Sequence, residues 1–258
     1  MRSHLTDNQA QLTPIMPFTF SIRGALTRSW KIFVSQPWFF IFITLVFAVL
    51  EFSGDMDGKY GVITGVLTAI ASLMWMYAAL SIAITVIDEK APAPTFKTMG
   101  NHFPSIGQLL KLIGVSIVAA IPIIVITIVC GIIAYADILG SSYFTGTLAI
   151  PTTSIIAIAV SILLIFFFAI RLSFAQLVFI DRQTSIWQSV KTSWYMTRGR
   201  QFWTVLLTIL LIIAMFIIGS ALFYVGLLIA YPLSILLMVQ LYRALMDATP
   251  NAVISEKE

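Results

Sequence analysis

The sequence predicts an all-α polytopic membrane protein: six transmembrane helices arranged as three hairpins, with amphipathic helices on the cytoplasmic-side interface. Three observations lead there. Apolar residues fill 59% of the 258 positions and charged residues only 10%, against roughly 25% charge in an average globular domain. So few charges cannot cover a soluble surface of this size. The apolar residues also gather into runs close to the roughly 20 residues a bilayer crossing needs, and fourteen of the 15 Lys and Arg residues fall on one side of the resulting layout.

Taken in order, the spans read as 37–52, 60–87, 109–135, 154–170, 202–218 and 221–242. The first is short and rich in Phe. Lys111 lies close enough to the start of the third to snorkel outward. The fourth has room to continue as an apolar helix to Ile180. The last two share one uncharged stretch from Gln201 to Tyr242, about 63 Å as straight helix and twice the roughly 30 Å hydrocarbon core. It must therefore fold back, with the turn expected near Gly219-Ser220 ahead of Gly226. The domain organisation is thus a disordered cytoplasmic segment 1–17, one membrane domain 18–247, and a cytoplasmic tail 248–258. No secretory signal peptide is visible, so the first span is expected to direct targeting. The basic residues are expected to place both termini in the cytoplasm.

Phe18, Ile22, Leu26, Trp30 and Phe33 recur at helical spacing before the first span, with Arg23, Thr27 and Lys31 on another face. This pattern marks an interfacial helix. It returns before the fifth span, where Trp187, Val190 and Trp194 oppose Gln188, Lys191, Tyr195 and Arg198. An offset of 164 aligns Ser21-Ile22 with Ser185-Ile186, Ser29-Trp30 with Ser193-Trp194, and Thr44 with Thr208. A fainter version, Phe96, Met99 and Phe103, precedes the third span. The chain therefore reads as three units of interfacial helix plus hairpin, although shared membrane composition alone can also produce such alignments.

Few residues carry chemistry. Arg171 follows an apolar run and precedes another, a costly position that is met either by snorkelling or by a headgroup or ligand contact. Lys191, Arg198 and Arg200 sit at the same boundary, with Gly199 as a helix stop. They serve either as positive-inside anchors or, with Arg28 and Lys31, as a basic pocket for an anionic lipid headgroup. Asp55-Met56-Asp57-Gly58 lacks the remaining spacing of a calcium loop and reads as a solvated turn. Gly61 and Gly65 form a candidate helix-packing pair. Pro122 and Pro232 lie inside spans, while Trp38, Trp203, Tyr60 and Tyr135 read as interface anchors. Neither His4 nor His102 falls in a span, and the lone Cys130 excludes an intrachain disulfide. The sequence offers no metal-ligand cluster, phosphate-binding loop or mid-membrane carboxylate pair. No catalytic residue, metal or cofactor is therefore expected, and a net charge of +4 gives no reason to expect nucleic acid.

The stretch from Arg171 to Asp181, followed by Ser189 to Trp203, resembles the membrane domain attached to some glycerophosphoryl diester phosphodiesterases. It also resembles related stand-alone bacterial inner-membrane proteins of undefined activity. The matching positions are Arg171, Asp181, Ser193-Trp194 and Thr197-Arg198-Gly199. The resemblance implies membrane residence and a link to lipid or envelope physiology. It carries no catalytic residue, because the phosphodiesterase chemistry belongs to a separate soluble domain. The expected function is a non-enzymatic scaffold, accessory or lipid-interacting module, with a small transporter or permease subunit as the alternative. Its expected partners are membrane lipids, with other membrane proteins or a second copy of the chain beside them.

Overall fold

The computed structural model describes residues 20–53, 61–88, 96–145, 152–222 and 225–249. Segment 1–17, Phe18, the Asp55–Gly58 run, Lys59, Tyr60, Lys90 and residues 250–258 of the tail lie outside them. Among the described residues the chain forms nine α-helices, one 3-10 turn and no strand. They are α1 (Ile22–Ser35), α2 (Pro37–Ser53), α3 (Gly61–Ile87), α4 (Ile106–Thr145), α5 (Thr152–Leu172), α6 (Ala175–Arg182), α7 (Ile186–Met196), α8 (Arg200–Ala221) and α9 (Leu227–Asp247). The 3-10 turn, Met99–His102, precedes α4.

α3, α4, α5 continued by α6, α8 and α9 are each long and apolar enough to cross a membrane. α2 has 17 residues, about 26 Å, and adds a sixth crossing only when joined to α1 across a 95° bend. The architecture is therefore all-α and polytopic. The hairpins α2–α3, α4–α5 and α8–α9 all pack as such.

Two boundaries move. The third span runs on to Thr145 as a 40-residue helix, about 60 Å long, because nothing between Tyr135 and Thr145 stops it. Near its far end Asp137 accepts hydrogen bonds from the hydroxyls of Thr153 and Ser154 at the start of α5. The fifth span runs past Gly219-Ser220 to Ala221, and the sixth begins at Leu227 and not at 221. The reason is steric. Gly219 and Gly226 are the point where the two helices touch, and a Cβ on Gly226 would lie 2.6 Å from Gly219 Cα. The glycines sit at the contact, and the chain turns between them. Gly65, by contrast, has nothing within 4 Å of where a Cβ would be, so the Gly61/Gly65 pair makes no close helix contact there.

The core centres on α9. Leu236, Leu237, Val239, Leu241, Tyr242 and Leu245 are all fully buried, and α1, α2, α3 and α8 pack around them. The α4–α5 hairpin touches the rest mainly at its base, through α6 and α7. Its far portion presents Ile121, Ile128, Ile132 and Leu163 outward, the surface lipid tails would cover.

The proposed repeat has a structural counterpart. Ser21 and Ser185 both N-cap their helices, accepting hydrogen bonds from the Gly24 and Gln188 backbone N–H groups. Ser29 and Ser193 are both fully buried. Thr44 and Thr208 are buried too, and each donates to the carbonyl four residues back. α1–α2–α3 and α7–α8–α9 are thus built alike. The middle unit keeps its hairpin but reduces the interfacial helix to the 3-10 turn, where Phe96 packs on Phe39 and Phe42 and Phe103 packs on Trp75.

Candidate functional site: the basic end of the bundle

The two amphipathic helices each present three faces: a polar one, an exposed apolar one, and a third that packs on the protein. In α1 the buried residues are Ala25, Ser29 and Phe33, while Trp30 and Val34 are 49% and 53% exposed. In α7 they are Ser189, Thr192, Ser193 and Met196, while Trp187 is 70% exposed. Small and hydroxylated residues face the protein because they let helices approach closely. Trp30 and Trp187 stay on the exposed side, which lipid would cover, whereas Phe33 joins the core and Trp194 packs on Phe167 and Phe168.

Arg171 closes a joint between two helix ends. Its Nη1 donates to the carbonyl oxygens of Thr197 (2.8 Å) and Trp194 (3.3 Å), groups left over at the C-terminus of α7. In return Ser193 Oγ donates to the Arg171 carbonyl at 2.8 Å, itself among the last carbonyls of α5. A cation also suits the negative end of a helix dipole. The guanidinium lies 4.9 Å from the Trp194 ring centre, 5.2 Å from Phe167 and 5.6 Å from Phe202, so three ring faces hold it. Arg171, Ser193, Trp194 and Thr197, four of the residues that carried the family resemblance, thus form one structural unit. Gly199 completes it with φ +68, a left-handed turn that needs glycine and that lets α8 start at once after α7.

A second polar cluster ties four segments together. Arg243 on α9 forks onto Asp181 of α6, with Nη1–Oδ2 and Nη2–Oδ1 both 2.7 Å, and Nη2 also reaches Asp88 Oδ2 at 2.6 Å. Tyr242 OH donates to Asp181 Oδ2 at 2.7 Å. Beside it Gln240 Nε2 donates to Ser29 Oγ (2.7 Å) and to the Ala25 carbonyl (3.2 Å) of α1. Arg28 Nη2 donates to the Ile87 carbonyl at 3.0 Å. Further along, Gln183 Nε2 donates to Tyr77 OH and its Oε1 accepts from Gln108. These bonds bring the first helix, the end of α3, α6 and the end of α9 to one end of the bundle, as the distribution of basic residues required.

The remaining candidates lie on the surface of that same end. Lys31, Lys191, Arg198 and Arg200 are exposed. Arg23, Thr27, Arg28 and Lys31 line an open groove of about 490 Å³ along α1. The structure therefore splits the six proposed lipid-contact residues. Arg171 is built into a helix joint, and Arg28, Lys31, Lys191, Arg198 and Arg200 stand on an exposed basic rim. Periodicity missed Asp88, Asp181, Tyr242 and Arg243 as a unit. The available signal was two carboxylates at span ends in a chain that has few charges.

An open pocket of about 310 Å³ is lined by Phe47, Met76, Phe216, Tyr231, Ser173 and Gln176 among others. Its walls are mainly apolar. Ser173 and Ser234 spend their hydroxyls on carbonyls of their own chain segment, and Gln176 bonds Ser116. Among the described residues no three His, Cys, Asp or Glu side chains gather where they could hold a metal ion. Comparison with protein-family models, with curated proteins and with solved structures finds no match for the chain.

Proposed function

We propose that this protein is a non-enzymatic, lipid-interacting module of a bacterial inner membrane, of the kind the phosphodiesterase membrane-domain resemblance implies. The observation that carries the reading is the attitude of α1. It lies at 95° to α2, so it runs along the membrane plane when α2 crosses it. Trp30, Val34 and Trp38 are exposed on it and at its end, and Arg23, Thr27, Arg28 and Lys31 line the groove on its polar side. Apolar residues set into the acyl boundary with cations at headgroup level is the arrangement by which an interfacial helix holds anionic lipid. α7 repeats it with Trp187, Lys191 and Arg198. A transporter needs a polar route through the bundle, and the open pocket between α2, α3, α8 and α9 offers mostly apolar wall.

The test is lipid retention by the purified full chain, read by mass spectrometry of the intact complex. Replacing Arg23, Lys31, Arg198 and Arg200 with Ala is expected to weaken anionic-lipid retention about fivefold per residue, since each cation near the surface is worth about 1 kcal/mol. Arg171→Ala should instead lower thermal stability and leave retention by the folded fraction unchanged. Undiminished retention in the fourfold variant would sink the proposal.

A further inference from the structure

The open pocket between α2, α3, α8 and α9 has a chemistry of its own. Among the described residues no charged side chain lines it. Its apolar wall includes Met76, Ile212, Phe216 and Met238, and Phe47 stacks on Tyr231 with ring centres 4.9 Å apart. The polar atoms that remain are mostly acceptors. The Ser173 and Ser234 hydroxyls already donate, to the carbonyls of Ile170 and Ala230. Ser116 Oγ donates to the Leu112 carbonyl at 2.9 Å, so it receives the Gln176 Nε2 donor at 3.1 Å. This bond fixes which way the amide points. Gln176 Oε1 is then left with no donor among the described residues. Gln176 also lies deep. It stands five residues before Asp181 on α6, about 8 Å further into the bundle than the Arg243 cluster.

An uncommitted acceptor in an uncharged apolar pocket calls for a neutral donor. We propose that the pocket binds an uncharged single-chain lipid with a hydroxyl head, the chain along Met76, Phe216 and Met238 and the hydroxyl donating to Gln176 Oε1. An ionised carboxylate or phosphate diester brings acceptors and a charge, and a charge at this depth has no partner to offset its lost hydration. A hydroxyl brings the missing donor without that cost. Methionines shape themselves to a flexible chain. The volume of about 310 Å³ is in the range of small-molecule sites, which pair apolar walls with a few polar groups. At roughly 30 Å³ for each water-sized group, it admits about ten chain carbons. The inference goes beyond the lipid-interacting reading and does not rest on it. That reading concerns anionic headgroups at the exposed basic rim, and this one a neutral ligand within the membrane domain.

The experiment photolabels the purified full chain, in phosphatidylglycerol nanodiscs, with a diazirine-bearing dodecanol and maps the crosslinked residues by mass spectrometry. Labelling should concentrate around Met76, Phe216 and Met238, and Ile212→Trp, which fills the pocket, should abolish it. Unlabelled dodecanol should compete about fivefold better than its methyl ether, the scale of one neutral hydrogen bond. Dodecanoate and dodecyltrimethylammonium should compete less well than the alcohol. Gln176→Leu should erase the margin of alcohol over ether and keep the labelling. Ser116→Ala removes the same amide contact from the other side and should keep the margin, which separates a ligand contact from a structural one. The comparison of alcohol with ether needs no variant, so it stands even if Ile212→Trp fails to fold. Labelling spread evenly over the exposed faces of α4 and α5 overturns the assignment. So does equal competition by alcohol and ether, the result expected if a phospholipid tail fills the pocket, or a preference for the carboxylate. If the fourfold basic-residue variant keeps its anionic lipid, the broader reading fails while pocket labelling can still succeed. If labelling fails while anionic lipid is lost from that variant, only this inference falls.

Discussion

Arg243 concentrates more of the electrostatics than any other single side chain described. It pairs with two carboxylates, and Asp181 is only 9% exposed. Removing one partner of such a cluster leaves uncompensated charge away from water, at a cost of about 3 kcal/mol or more. Arg243→Ala is therefore expected to lower the unfolding midpoint in detergent sharply. Arg243→Lys should recover part of the loss, because a point charge cannot reproduce the fork. His102 gives a pH signature. Its Nδ1 lies 3.0 Å from Ser81 Oγ, and burial holds the imidazole below its ordinary value of 6.5. As pH falls, the unfolded chain takes up the proton first, so this contribution is complete above about pH 6.5 and is lost as pH drops through the lowered folded value. Denaturation midpoints should fall between about pH 7.5 and pH 5 in the parent, and His102→Gln should flatten that slope. At this scale the sequence was legible only in part. Arg171 stood out because a cation inside an apolar run is costly, but its partners are backbone carbonyls of α7, and carbonyls leave no mark on side-chain periodicity.

Among the elements, spans were legible because a bilayer imposes length and apolarity directly. Gly61–Ile87 matches the expected span 60–87 to within a residue; Pro37–Ser53 matches 37–52 as a helix, though it passes as a crossing only together with α1. The faces of α1 and α7 were legible in part. Periodicity marked an apolar face and a polar face, but small residues carry little weight in it, so Ala25, Ser29, Ser189 and Ser193, which pack on the protein, left no signal. The glycines misled. Spacing singled out Gly61 and Gly65, yet the close contact is Gly219 on Gly226, seven residues apart across a turn. Gly226→Ala must push backbone atoms apart and should destabilise by about 1–3 kcal/mol. Gly65→Ala meets nothing and should be neutral or stabilise by up to about 1 kcal/mol. Thermal unfolding of the two variants side by side checks both.

For the whole molecule, the basic residues and the hydrogen bonds agree on one polar end. Arg28 meets Ile87, Arg243 meets Asp88 and Asp181, and Gln108 meets Gln183. In a chain with Cys130 replaced by Ala, single cysteines at Lys31, Lys111, Arg200 and Asp247 should therefore label from one side of the membrane and one at Asp137 from the other. Labelling of Lys31 and Asp247 from opposite sides would break this arrangement. The Arg243 cluster also has a consequence in time. Asp88 precedes Arg243 by 155 residues, and at roughly 5–20 residues per second of synthesis the carboxylate exists for about 8–30 s before Arg243 is made. Asp181, which also meets Arg182 at 3.4 Å, waits less long for the same guanidinium. The first two hairpins are thus made before the side chain that joins both carboxylates. The arrival of the last helix is the event that ties the ends of α3 and α6 to each other.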